Sequence, residues 1–354
     1  MAVEGREAGR PSPWWGVALA SALTLYAVAA RRKAQRPREA GDHGHHADKP
    51  QQIPGRGWWE VLKRTWNGIS EDNISHLAAA VAFYGLIGIF PAFAALVALY
   101  GLVANPADVE RHAALLETVA PPQAVSIITE ALRNLVNKDQ AGLSFGLVIG
   151  VGIALWSARV GTGALMTSLN MAYRERERRN FIWFNVTALA LTAVLVLFGI
   201  VAILTVALIP VALNLLPVPA GWAGIISAVR WPILALLVIV ALAVVYRFGP
   251  SREQPRWEWV SPGAIAATVL WIIGSALFSL YVSRFGSYGE TYGSLGAVVV
   301  LLLWFWLSAY TLLAGAELNA ELEHQTFKDT TTGRPKPIGL RGARMADTVA
   351  GHAD

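Results

Sequence analysis

The sequence predicts an all-α polytopic membrane protein, with a core of six transmembrane helices, amphipathic interfacial helices, and one extra N-terminal transmembrane helix. Three observations carry this reading. Of 354 residues, 55% are hydrophobic and only 15% charged, and the mean hydropathy is +0.45, a balance that does not cover a water-facing surface. Asn180 to Val229 form fifty residues without an Asp, Glu, Lys or Arg, whereas roughly 20 apolar residues suffice to cross a bilayer. Lys and Arg, finally, are crowded into alternate loops between the apolar stretches. A soluble α/β enzyme is thereby excluded. The absence of cysteine removes disulfide frameworks, Cys-ligated zinc, iron–sulfur centres and cysteine nucleophiles.

The apolar stretches follow in order. Pro11 to Ala30 is the first, and its centre is only about 26 Å long at the helical rise. Arg31, Arg32, Lys33, Arg36 and Arg38 follow it, whereas a cleavable signal peptide carries its basic residues before the apolar run. It reads as an uncleaved extra helix with its N-terminus outside. The six core spans are Leu77 to Ala104, Gln140 to Ala158, Phe181 to Leu216, Ile225 to Tyr246, Val260 to Ser283, and Ser294 to Ala316. The chain thus divides into an extra helix at 1–30, a basic disordered linker at 31–56, a six-helix domain at 57–323 and a disordered tail at 324–354. Pro91, Pro210 and Pro232 lie within spans, where proline is tolerated and shapes the helix.

Amphipathic pieces lie between the spans. Trp58, Leu62, Thr65, Trp66 and Ile69 share one helical face, while Lys63 and Arg64 lie elsewhere, the pattern of a helix at a membrane surface. Asp108 to Val119 and Val125 to Val136 have helical spacing and are separated by Pro121-Pro122, which predicts a small external hairpin. Val160 to Tyr173 reads as a second cytoplasmic surface helix, bounded by Arg159 and by the charge cluster from Arg174 to Arg179.

Loop charge orients the core. The loops at 31–75, 159–180 and 247–259 and the tail from 317 hold twenty-two Lys and Arg, against five in the alternate loops. Because basic residues are retained on the cytoplasmic side, this split places the linker and the C-terminus in the cytoplasm. It also accounts for the formal net charge of +5 without nucleic acid as a partner.

Several sequence motifs occur together: Ala78-Ala79-Ala80-Val81-Ala82-Phe83-Tyr84, Phe90-Pro91, Trp156-Ser157-Ala158-Arg159 and Leu169-Asn170-Met171-Ala172-Tyr173. Tyr246-Arg247-Phe248-Gly249-Pro250, Ser261-Pro262-Gly263-Ala264, Tyr281 to Phe285, Thr291 to Gly296 and Gly315-Ala316-Glu317-Leu318-Asn319 follow. In order and spacing, over about residues 57 to 323, they resemble the YihY/BrkB family of bacterial inner-membrane proteins. The resemblance implies a six-helix core with both ends cytoplasmic, an association with envelope integrity, and a suggested transport role. It also brings an older label, a tRNA-processing ribonuclease. Metal-dependent nuclease chemistry needs clustered His and Asp ligands beside a water position. Of seven His, only His43, His45 and His46 cluster, and they fall in the linker. The sequence is therefore read as a non-enzyme with no cofactor and no metal site.

The candidate ligand or transport residues are Arg159, Asn170, Tyr173, Arg230, Arg284, Tyr288, Tyr292, Glu317 and Asn319. Arg159 and Arg230 stand at span boundaries, where an arginine either faces a ligand in the bundle or snorkels to the headgroups. The Gly-rich corner from Arg284 to Gly296, with Tyr288 and Tyr292, reads either as a re-entrant gate or as an interfacial turn with an aromatic belt. Asn170 and Tyr173 bind a ligand or satisfy interfacial hydrogen bonds on the expected surface helix. Glu317 follows twenty-six uncharged residues at a helix C-terminus, where the macrodipole disfavours an anion. Arg159, Arg179 or Arg247 is its expected partner in a structural ion pair, and a proton or cation site is the other reading. Asn319 belongs to the same motif.

Two function classes remain. One is a carrier or flippase-like protein for an amphipathic anionic lipid or envelope precursor. The other is a non-transporting scaffold for envelope-assembly partners. The sequence shows no internal repeat of spans and no midplane charge pair, and the absence of a Walker motif excludes transport powered by its own ATP hydrolysis.

Overall fold

The computed structural model describes residues 43–103, 140–215, 220–285 and 294–351. The extra span at Pro11 to Ala30, the external hairpin, Tyr288 and Tyr292 lie outside these residues. Among the described residues the structure is helical, with no strand longer than a single bridge between Pro255 and Thr331. After a 3-10 turn at Pro50–Gln52 come α1 (Gly55–Glu71), α2 (Ile74–Val103), α3 (Gln140–Ala172), α4 (Phe181–Leu215), α5 (Ala220–Phe248), α6 (Trp257–Phe285), α7 (Ser294–Glu323) and the short α8 (Arg344–Asp347).

The six long helices pack as a closed circuit in which α2 meets α3, α3 meets α4, and so on round to α7, which returns to α2. Helices α4 to α7 contain stretches long and apolar enough to cross a membrane: Phe181–Val206, Ala228–Phe248, Trp257–Arg284 and Val298–Glu323. Large apolar side chains such as Leu197, Leu204, Trp231, Leu236 and Leu277 are exposed along them. An apolar surface this wide is stable in lipid and not in water.

Small residues set the closest helix crossings. Gly161 of α3 lies against Gly85 of α2, where a methyl group would come within 3.3 Å of the Gly85 Cα. Gly263 of α6 and Gly315 of α7 leave no room for a Cβ on either side, the small-residue packing typical of membrane helices.

The buried core is concentrated at one end of the bundle. Ile74, Leu165, Leu169, Tyr173, Tyr246, Val260, Leu313, Ala316 and Ala320 form one cluster, and Ile53, Val61, Trp259, Leu318 and Leu322 another beside it. The amphipathic α1 lies across this end and packs on α7. It turns into α2 through Asp72 and Asn73, the latter with φ 52°, an αL conformation that Asn accepts more readily than most residues.

Two expectations are corrected. Val160 to Tyr173 is not a separate surface helix but the last part of α3, which runs unbroken past Arg159. Its amphipathic pattern arises because Leu165, Met166 and Leu169 face the protein core. Nor are residues 43–56 and 324–351 disordered: they fold together as a cap on the bundle. Arg341 is its organiser, buried and donating to the carbonyls of Phe327, Lys328, Lys336 and Ala346. Backbone bonds from Phe327 to His45, from Thr332 to Gln254 and from Glu253 to Gly342 stitch tail, linker and the α5–α6 turn into one unit.

Candidate functional site

The α7 C-terminus brings three carboxylates into the capped end of the bundle, four and two residues apart along one helix: Glu317, Glu321 and Glu323. Each meets a different environment. Glu323 and Arg252 form a two-pronged pair at 2.6 and 3.0 Å, and neither side chain is exposed. Thr330 donates to the same carboxylate at 2.9 Å, and the Arg252 guanidinium sits 4.2 Å above the Tyr173 ring. Burial alone would lower the Arg252 pKa, but the facing Glu323 raises it. Burial pushes the Tyr173 phenol well above its ordinary value.

Glu321 is held by Arg64 of α1, whose Nε donates to it at 2.6 Å while Nη2 reaches Gln325 at 2.6 Å. Glu317 is different. It is fully buried, and neither carboxylate oxygen has a hydrogen-bond partner. The expected ion pair with Arg159, Arg179 or Arg247 is not formed: Arg159 stacks on Trp156 at 4.3 Å, Arg179 pairs with Glu177 at 2.8 Å, and Arg247 donates to the Pro255 carbonyl at 2.6 Å. The Glu317 carboxylate instead lies against Gly68 of α1, where a Cβ would overlap it.

Asn170 and Asn319 both satisfy buried backbone. Asn319 accepts from the Gly263 amide at 2.7 Å and donates to the Val260 carbonyl at 3.0 Å, bridging the turn of α6 that contains Pro262. Asn170 accepts from the Ser251 amide at 2.7 Å and donates to Glu177 at 2.8 Å, tying the end of α3 to the α5–α6 turn. Its expected place on a surface helix is thus corrected to a buried tether. Burial would raise the Glu177 pKa, but its bonds from Arg179 and Asn170 bring the carboxyl down to about 2.

Beside this seam opens a basic cavity of about 680 Å³ between the start of α4, the end of α5 and the tail. Arg178, Arg179, Arg247 and Arg252 line it with Thr187, Phe248 and Ser251. Arg252 and Arg179 are held by carboxylates, which leaves Arg178 and Arg247 as its available cations. The Arg178 side chain is 61% exposed, with Glu175 only at 3.4 Å. Arg247 lies 4.5 Å over Trp257, and its Nε is buried without a partner. Phe181, Trp183 and Trp257 are exposed at the same end, where amphipathic rings mark a headgroup level.

The sequence-derived candidates therefore separate. Asn170, Tyr173, Glu317 and Asn319 converge at the capped end. Arg159 lies apart within α3, Arg230 stacks on Trp231 at 5.4 Å within α5, and Arg284 is exposed at the opposite end of α6. The residues missed from sequence are Arg64, Arg178, Arg252 and Glu323, while Arg247 was named only as a partner for Glu317. Their only signal was membership of the basic stretches at 31–75, 159–180 and 247–259 and of the acidic helix end.

The same segments are those that known proteins share. A family model described as Virulence factor BrkB matches residues 65–338. The chain belongs to the BrkB family. Among its relatives, the ribonuclease-like protein YfkH of Bacillus subtilis is 33% identical over 254 residues, covering 69% of this chain and 88% of that protein. A UPF0761 membrane protein of Idiomarina loihiensis is 29% identical over 195 residues, 55% of this chain and 67% of the other. One from Pseudoalteromonas translucida is 26% identical over 285 residues, 77% and 88% of the two chains. No solved structure matches. Membership in the BrkB family and the apolar helices make this a multi-pass membrane protein. Among the described residues, no three His, Asp or Glu side chains are grouped to hold a metal ion.

Proposed function

We propose that this BrkB-family protein is a carrier of flippase type for an amphipathic anionic component of the bacterial envelope. The observation that supports it best is the basic cavity at the edge of the apolar helices, where Arg247 forms no ion pair, Arg178 is mostly exposed with Glu175 at 3.4 Å, and exposed aromatic rings stand at headgroup level. An anionic headgroup in such a cavity is held by guanidinium forks, while its tails remain against the exposed apolar faces of α4 and α5. In this reading α2 to α7 are six spans of the inner membrane, an additional span precedes them, and the cap faces the cytoplasm. The protein is not an enzyme.

Reconstitution into vesicles tests the carrier reading directly. The wild-type protein is expected to move tail-labelled phosphatidylglycerol between leaflets faster than phosphatidylcholine, and Arg178→Ala with Arg247→Ala together to remove the difference. Equal rates for both lipids, or none above empty vesicles, would overturn it. Scaffolding is the second reading, favoured by the folded cap of residues 43–53 and 324–351. It predicts no lipid movement, with an envelope phenotype on disruption of the cap alone.

A further inference from the structure

Glu317 is a buried carboxylate with no hydrogen-bond or ion-pair partner in the protein. Every charged group around it is otherwise engaged. On its own helix, Glu321 is bonded to Arg64 at 2.6 Å and approached by His324 at 3.6 Å. From α1 and its elbow come Gly68, Glu71 and Asp72, and from the end of α3 comes Arg174. That arginine is spread over Asp72 at 3.4 Å, Glu321 at 3.9 Å and Glu71 at 4.0 Å. Four carboxylates thus share two arginines, and neither arginine forms an ion pair with Glu317.

An ionised carboxylate left alone in a low-dielectric interior is too costly to persist, so it must be neutralised by something that arrives from solution. Arg and Lys side chains are ruled out by the engagements above, and Gly68 lies so close to the carboxylate that a Cβ there would overlap it, so any partner must be small. We propose that Glu317 binds a small monovalent cation, a proton or a sodium ion, at the seam between α1 and α7. Empty, the site sets Glu317 against Glu321, Asp72 and Glu71 and loosens α1. Occupied, it lets α1 seat on α7. The seam adjoins the Arg252–Glu323 pair, of which Arg252 lines the basic cavity, so cation binding is placed to act on the cavity mouth. That last link rests on the carrier reading; binding itself does not, and is measured without transport.

The test uses full-length protein in lipid nanodiscs and follows hydrogen exchange of Gly55–Glu71, corrected for the intrinsic pH dependence of exchange. Lowering pH at fixed potassium is one arm, and replacing potassium by sodium at fixed pH is the other. The proposal expects several-fold slower exchange of α1 in one arm, which identifies the cation, and an exchange rate in Glu317→Gln that is slow throughout and indifferent to both. If Glu317→Gln does not insert, infrared difference spectra of the wild-type protein give the same answer: a protonated-carboxyl band for a proton, a shifted carboxylate band for sodium. Exchange and spectra indifferent to both ions, or a response that persists in Glu317→Gln, would overturn it.

Discussion

Arg252 and Glu323 face each other through two hydrogen bonds of 2.6 and 3.0 Å with both side chains wholly buried. The pair joins the turn after α5 to the last residue of α7, and Tyr173 at the end of α3 floors it. Three helices that meet in the membrane domain are thus locked together at one end by a charge pair that water does not reach. A buried pair of this kind is weak evidence for net stability, since desolvation offsets its attraction, but each half is strongly dependent on the other.

Glu323→Gln therefore leaves Arg252 charged and buried, and is expected to lower unfolding stability in detergent by about 3 to 5 kcal/mol. The double replacement Arg252→Met with Glu323→Leu removes both charges and is expected to recover most of that loss. Thermal unfolding of the two variants beside wild type checks this; a single variant as stable as wild type would show that the pair does not lock the helices.

Asn319 and Gly263 give a second handle, on the seam between α6 and α7. Asn319→Leu is expected to leave the Gly263 amide and the Val260 carbonyl unsatisfied, at about 1 to 3 kcal/mol for each buried group. Gly263→Ala acts on the same contact by another route, because its methyl would overlap the Gly315 carbonyl and Asn319. Both are expected to weaken the α6–α7 seam, seen as faster hydrogen exchange in both helices. Exchange confined to one helix would count against a shared bridge.

The lipid-facing parts of the fold were legible in the sequence because a bilayer permits few solutions: long charge-free runs such as Phe181 to Leu215 have only helix available to them. The cap was not legible. Residues 324–351 are polar and rich in Lys, Arg, Thr and Gly, a composition that reads as solvated chain, and their order comes from Arg341 reaching four carbonyls and from Thr326 and Phe327 bonding back to residues 45–47. Contacts across about 280 positions leave no local pattern. At the site, Glu317 and Asn319 stood out as polar residues after an apolar run. The absence of a partner for Glu317 did not, because it depends on Gly68, a glycine with no sequence-level reason to face a carboxylate. Arg178 and Arg247 were hidden among other basic loop residues that the positive-inside rule already explained.

Acid should weaken the tether between α3 and the α5–α6 turn in a defined window. Glu177 is held down to about 2 when folded, against burial, by Arg179 and Asn170, whereas an unfolded glutamate titrates near about 4.3. A depressed folded pKa contributes stability that is fully present above the unfolded value and is lost as pH falls toward the folded one. Wild-type unfolding temperature is thus expected to fall between about pH 4 and pH 2, and Glu177→Gln to be lower at neutral pH with a flatter acid slope. Parallel acid slopes in the two proteins would remove Glu177 as the cause.

The last expectation concerns where the folded unit begins. Loop charge and motif order placed its start near residue 57, with a disordered linker at 31–56 before it. The structure moves that limit back. Ala47 and Ile53 are buried in the cluster with Val61 and Leu322, His43 bonds Glu60 at 2.6 Å, and Gln325 donates to the His43 carbonyl at 2.8 Å. Gly57 faces the same His43 carbonyl so closely that no Cβ fits. Deleting residues 1–42 removes none of these contacts, and deleting 1–54 removes them all. Because the spans insert by hydrophobicity and loop charge, both truncations are expected to reach the membrane. Only the longer one should lose the cap, leaving the Arg341 segment and the α7 end open to limited proteolysis while the spans stay protected. Equal protease resistance of the two truncations would show that the tail folds on α7 without the linker, and insertion failure of the shorter one would show that residues before 43 belong to the bundle.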